Sequence, residues 1–152
     1  MDPWMNIALN EAFEGVNASH GGPFGAVIIR DNALVASSHN QVLKDTDPTA
    51  HAEIMAIRRA SHLLNTPHLT DCTLYTTCEP CPMCLGAIYW AKIPLVYFGC
   101  TNEDAGQIGF IDDSMHQLFN IKPSDELKMI QLHHTECMTV FDHWKHSNLP
   151  LY

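Results

Sequence analysis

The 152-residue chain is short of charge, and above all of positive charge. Only 16% of its residues are charged; eight Lys and Arg face seventeen Asp and Glu, for a formal net charge of −9. The longest basic cluster is the pair Arg58-Arg59. A protein that grips a nucleic-acid backbone needs many cations on one face, so the composition argues against that class. Long apolar runs are missing too. The best, Leu85 to Phe98, is broken by Lys92 and Pro94 and falls short of the ~20 residues that span a membrane. The opening Met1-Asp2-Pro3-Trp4 lacks the basic start and apolar core of an export signal. A soluble, cytoplasmic protein is expected, with no nucleic acid and no membrane as partner. No repeat, linker or low-complexity tract interrupts the chain, and its length suits one domain over 1–152.

Apolar residues make up 46% of the sequence, enough for a packed core. Asp2-Pro3 reads as an N-cap followed by proline at the first helical position. Met5, Ala8, Leu9, Ala12 and Phe13 then recur at helical spacing up to Gly15. Residues 24–29 read as a buried strand, Asp31-Asn32 as a tight turn, and 34–38 as the hairpin partner. Residues 40–48 read as a polar loop. A helix is predicted over 50–64 with Ile54, Met55, Ile57 and Leu64 inward. A strand at 73–77, a helix at 82–91 and a strand at 95–98 follow. A helical turn at 115–119, a strand at 127–132 and a helix at 135–146 close the chain. Strands alternating with helices after an opening hairpin predict one mixed sheet covered on both faces.

Six cysteines are present, and Cys78, Cys81 and Cys84 stand three apart. In a chain without an export signal that spacing points to metal rather than disulfides. Cys81 precedes Pro82 and so caps a helix, which places Cys84 on the same face of its first turn. His51 and Glu53 are two apart, about 200° around an ideal helix, so they converge only if the end of the helix faces the metal. Two helix N-termini pointed at one site would stabilise thiolates, a carboxylate and a bound hydroxide. Three protein ligands leave a fourth position on zinc for water. The competing reading closes the site with Cys78 as a fourth ligand. Glu53 favours the open site, because a carboxylate beside a metal-activated water can move a proton.

His51-Ala52-Glu53 followed by Pro80-Cys81-Pro82-Met83-Cys84 matches the pattern of zinc nucleobase deaminases. The chain resembles the cytidine-deaminase-like superfamily over essentially its whole length. Within it, segments 21–27, 47–53, 78–90 and 104–110 are similar to the bacterial guanine deaminases. The resemblance implies a three-layer α/β/α sandwich around a five-stranded mixed sheet, a homodimer, and hydrolytic conversion of guanine, a small-molecule purine, to xanthine and ammonia. It implies zinc (Zn2+) held by His51, Cys81 and Cys84, with Glu53 as proton shuttle and Cys78 outside the ligand set. It also implies Phe24 stacking on the purine, Asn40 bonding the base, and Trp90 lining the pocket. After Gly109-Phe110 the sequence Ile111-Asp112-Asp113 departs from the family's two acidic residues. The carboxylate facing the base is therefore Asp112 without a gap, or Asp113 with one; Asp112 is preferred. A C-terminal tail at about 147–152 would cross to the partner subunit and cap its site with Tyr152. Neighbouring activities are a guanosine or aminotriazine deaminase and a tRNA adenosine deaminase.

Overall fold

The computed structural model describes residues 1–122 and 124–152. Its order is α1 (Pro3–Asn17), β1 (Gly25–Arg30), β2 (Ala33–His39), α2 (Val42–Asp45), α3 (Ala52–Leu64), β3 (Cys72–Cys78), α4 (Pro82–Ala91), β4 (Leu95–Cys100), α5 (Asn102–Gln107), α6 (Asp113–Phe119), β5 (Lys128–Gln131) and α7 (His134–Lys145). The five strands form one sheet in the order β2-β1-β3-β4-β5. β1 pairs antiparallel with β2 and β3, while β3-β4 and β4-β5 are parallel. Among the described residues no helix is long and apolar enough to cross a membrane.

Local chemistry accounts for the elements. Asp2 Oδ1 accepts from the N–H groups of Trp4 and Met5, capping α1. Asp31 and Asn32 both take positive φ, the backbone of a two-residue hairpin turn matched to strand twist. Alternation along each strand divides the core between two faces. Val27 and Tyr75 pack with Met5, Leu9 and Ala12 of α1 and with Val140, Phe141 and Trp144 of α7. Ala26, Ile28 and Leu74 pack with Ala52, Ala56 and Ala60 of α3 and with Ile88 of α4. Burying a large aliphatic side chain in such layers contributes about 1.5–3 kcal/mol. Gly25 lets α1 lie close on the sheet, since a Cβ there would fall 2.0 Å from the Ala8 carbonyl oxygen.

Three expectations change. Segment 40–48 contains the short helix α2, whose N–H groups at Leu43 and Lys44 donate to the His20 carbonyl. The inward face of α3 is Ala52, Glu53, Ala56 and Ala60 rather than Ile54, Met55, Ile57 and Leu64. Small residues let that helix approach the sheet, and the larger ones ride at its flanks. α5 was not foreseen, although Thr101 and Asp104 form a complete capping box at its start.

Candidate active site and metal centre

The ends of two helices meet beyond the carboxyl end of β3, the edge at which open α/β sheets bind ligands. His51 is the N-cap of α3 and Cys81 the N-cap of α4, both with extended backbone, and neither side chain caps its own helix. Upstream, Asp47 Oδ1 accepts from the Thr49 N–H at 2.8 Å and from its hydroxyl at 2.7 Å, shaping the turn that delivers His51. Proline at the first position of α4 gives up a donor that would be unpaired there anyway. Both side chains are thereby free to face each other.

They face each other at metal-ligand spacing. His51 Nδ1 lies 3.6 Å from Cys81 Sγ and 3.6 Å from Cys84 Sγ. Tetrahedral zinc with Zn–N near 2.0–2.1 Å and Zn–S near 2.3 Å requires an N···S separation of about 3.6 Å. The donor set therefore fits the ion. Among the described residues this trio is the one His/Cys/Asp/Glu group of three that converges in this way. Cys78 stands apart: it is buried, and its Sγ lies 3.5 Å from the Thr101 carbonyl. A site closed by Cys78 is not what the fold builds.

Glu53, on the first turn of α3, reaches the same point from within. One carboxylate oxygen accepts from the Thr76 hydroxyl at 3.2 Å and the other lies 3.5 Å from Cys84 Sγ. Burial raises its pKa, and the negative Cys81 nearby raises it further against the opposing pull of His51. The Cys81 thiol is held down to about 4, chiefly by its bond with Cys84, with His51 acting the same way and burial opposing both. A carboxyl group biased toward its protonated form beside a stabilised thiolate suits proton transfer.

A cavity of about 330 Å³ opens over this cluster, lined among others by Phe24, Asn40, His51, Glu53, Asp112 and Tyr152. Its size falls at the small end of ligand pockets, roughly 300–1,000 Å³. Phe24 stands between cavity and core, edge-on to Phe110 at 5.0 Å and to Phe141 at 5.7 Å. Asn40 is 1% exposed. Its Oδ1 accepts from the N–H groups of Gly22 (3.3 Å) and Val42 (3.1 Å), while its Nδ2, buried and with the Tyr152 hydroxyl nearby, completes no hydrogen bond. An unpaired buried donor is costly, so one at a cavity wall marks a place where a ligand acceptor belongs. Asp112 stands at the N-cap position of α6 without capping it and lines the cavity, its carboxylate held by His116 at 2.9 Å, whereas Asp113 is exposed and lies outside the lining.

One placement differs from expectation. Trp90 is 77% exposed and borders a separate groove of about 1,140 Å³ with Tyr89, Phe98 and Leu127. Ile88 faces the core, and a residue two positions later points about 200° away from it. Within this chain Trp90 therefore does not line the pocket. Tyr152 lies over the cavity of its own chain. Its ring packs on Phe110 at 5.3 Å and its hydroxyl reaches Gly22 beside Asn40. Leu151 crosses Gly109, whose φ of +107° suits glycine and where a Cβ would fall 2.7 Å from the Leu151 side chain. Burial raises the Tyr152 phenol pKa. His116 was missed, although its spacing of four from Asp112 is the interval at which helical side chains meet.

Residues 2–100 match the family model of the cytidine and deoxycytidylate deaminase zinc-binding region. The chain belongs to this zinc-binding deaminase family. It is 45% identical over 146 residues to guanine deaminase of Bacillus subtilis (strain 168), covering 95% of this chain and 93% of that one. The crystal structure of the Bacillus subtilis guanine deaminase superposes with a TM-score of 0.76 at 44% identity, covering 100% of this chain and 99% of that one. The tRNA-specific adenosine deaminase of Aquifex aeolicus (strain VF5) is 37% identical over 105 residues, 69% of each chain. A crystal structure of a protein in complex with 2,6-diaminopurine superposes with a TM-score of 0.83 at 26% identity, covering 98% of this chain and 83% of that one. The family and the His/Cys/Cys spacing agree on Zn2+ as the metal of this deaminase-family chain.

Proposed function

We propose that the chain hydrolyses guanine to xanthine and ammonia, with zinc on His51, Cys81 and Cys84 and with Glu53 as the proton carrier. The observation that carries the reading is the pairing, in one base-sized cavity, of a buried protonatable carboxyl beside the ligand trio with an unpartnered amide donor opposite it. Zinc, when bound, supplies a Lewis acid that brings the pKa of a water molecule to about 7.

The protein's own groups do the rest. Glu53 takes a proton from the attacking water and delivers it to the ring nitrogen beside C2. The Thr76 hydroxyl holds the carboxylate in line. As the C2–N bond breaks, Glu53 carries the second proton to the amine, which leaves as ammonia; one water is consumed and no redox change occurs. The N-termini of α3 and α4 favour the negative charge that gathers here, each by about 0.3–1 kcal/mol per nearby anion. Asn40 Nδ2 donates to the carbonyl of guanine and Asp112 accepts from its N–H groups, a pattern that adenine reverses at the six-position. Phe24 supports the ring, and Tyr152 closes the cavity.

The proposed assembly is a cytoplasmic homodimer. Free thiols at all six cysteines suit a reducing compartment. Exposed Tyr89, Trp90, Leu118 and Phe119 form apolar surface of the kind that a second copy covers. A tail exchanged between protomers makes the same contacts as one folded back on its own chain, so swapping costs little. Ammonia release from guanine, guanosine, an aminotriazine, adenine, cytidine and a tRNA anticodon stem-loop tests the substrate. Guanine should lead, and a lead for the stem-loop or for cytidine would refute the assignment.

A further inference from the structure

A chain of three side chains lies behind Asn40, away from the metal ligands. Glu11 of α1 and His39 at the end of β2 meet at 2.8 Å between Oε2 and Nδ1. The Ser37 hydroxyl donates to the other Glu11 oxygen at 2.5 Å. His39 Nε2 in turn meets His20 Nδ1 at 2.8 Å, with the rings stacked 5.1 Å apart. All three are at least partly buried. No step of the proposed reaction uses them.

Their place in the chain gives them a task. His39 immediately precedes Asn40, and His20 immediately precedes Gly21-Gly22, whose second N–H donates to Asn40 Oδ1. A Cβ on Gly21 would fall 2.1 Å from that oxygen, so the two segments touch. The Asn40 N–H donates to the Phe24 carbonyl, and α2 hangs from the His20 carbonyl through Leu43 and Lys44. Segments 20–24 and 39–44 are thus zipped by backbone bonds, and the histidine pair is the side-chain fastening at the end of the zip. We propose that Glu11, His39 and His20 are positioning residues that hold Asn40 in register with the purine carbonyl, so that its unpartnered amide meets the base. This inference rests on the reading of Asn40 as a base contact.

The fastening tolerates one excess proton and not two. Nδ1 of His20 and Nε2 of His39 face each other, so one must donate and the other accept. When both rings are fully protonated, two N–H groups and two positive charges confront each other across 2.8 Å. The groups that face the pair are Glu11 on α1, Arg59 on α3, and Lys44 and Asp45 on α2. Burial and the neighbouring His39 both push the His20 pKa down, which keeps the fastening intact near neutrality. Acidification that charges both rings should open it.

The test is steady-state kinetics on guanine with the zinc-loaded full chain, with melting curves and zinc content measured alongside. At pH 7.5, His20→Ala and Glu11→Ala should raise KM about five- to tenfold, the scale of one hydrogen bond, with kcat within about twofold. His20→Asn keeps a donor at the Nδ1 position. It should show near-wild-type KM at pH 7.5 and lose the rise in KM that the wild type shows on acidification. On the Asn40→Asp background, Glu11→Ala should raise KM no further, because residues acting through one group are not additive. Additive effects, or an acid rise in KM that survives in His20→Asn, would overturn the inference. If Asn40→Asp alone leaves KM unchanged, the base-contact reading itself falls and takes the fastening's role with it. Should His20→Ala not fold, His20→Asn and the Glu11→Ala cycle still decide.

Discussion

Asn40 offers a substitution pair that separates support of the fold from recognition of the base. Its Oδ1 satisfies two buried N–H groups, those of Gly22 and Val42. Asn40→Ala strands both, and each buried unpaired donor costs about 1–3 kcal/mol, hence about 2–6 kcal/mol together. At roughly 2–4 °C per kcal/mol for a chain of this length, the melting temperature should fall by roughly 8–16 °C at the middle of that range. Asn40→Asp keeps the acceptor and removes only the amide that faces the cavity. The same two N–H groups then solvate the buried carboxyl, so this variant should melt well above the alanine one. Its affinity should suffer instead. Replacing a donor by an acceptor opposite a carbonyl costs about 1.5–3 kcal/mol, or roughly ten- to 150-fold in KM. Thermal melts of the zinc-loaded proteins and steady-state assays on guanine read the two effects independently. An alanine variant as stable as wild type, or an aspartate variant with unchanged KM, would refute the reasoning.

Four further outcomes follow from the geometry. In metal-free protein at pH 6.5, iodoacetamide should alkylate Cys81 first, since its thiol is held down to about 4 while Cys84 is pushed up; peptide mapping reads the order, and zinc should protect both. Loss of His116 frees the Asp112 carboxylate held at 2.9 Å, so His116→Ala should raise KM for guanine a few-fold, consistent with about 0.5–1.5 kcal/mol; an unchanged KM would detach Asp112 from the base. The bond to His39, helped by Ser37, holds the Glu11 pKa below its ordinary value. A carboxylate lowered in this way stabilises the fold above its unfolded pKa and loses that contribution as pH falls through the folded value. Melts of Glu11→Gln against wild type should therefore differ at neutral pH and converge in acid. Removing residues 149–152 should leave zinc content intact while raising KM, because Tyr152 lines the cavity and is not one of the ligand trio; a chain that loses zinc on truncation would contradict that.

The architecture was largely legible because its determinants are local. Asp2-Pro3, Asp31-Asn32 and Cys81-Pro82 act through the backbone of their own turns, and each appears where its chemistry requires. The same locality made the ligand trio readable, since two helix starts carry it. What escaped depends on distance. The interior face of α3 is mostly alanine because the sheet lies close beneath it; Ala52, Ala56 and Ala60 recur every four residues, but nothing within 52–64 states how near the sheet comes and so that this stripe, rather than the larger one, turns inward. The placement of Trp90 on a separate groove follows from the rotation of α4 against the sheet. Ile111 left the choice between Asp112 and Asp113 open until the start of α6 fixed which carboxylate faces inward. The Asp112–His116 pair and the Glu11–His39–His20 chain join residues that tertiary packing or a newly formed helix brings together.

Replacing one oxygen of Glu53 by nitrogen probes the central claim most directly, because the residue sits beside the ligands without being one of them. Purified Glu53→Gln should carry as much zinc as wild type, by elemental analysis, and release ammonia from guanine at least about 10²- to 10⁴-fold more slowly. Unimpaired turnover in that variant, or a wild-type protein active with no zinc bound, would contradict the account.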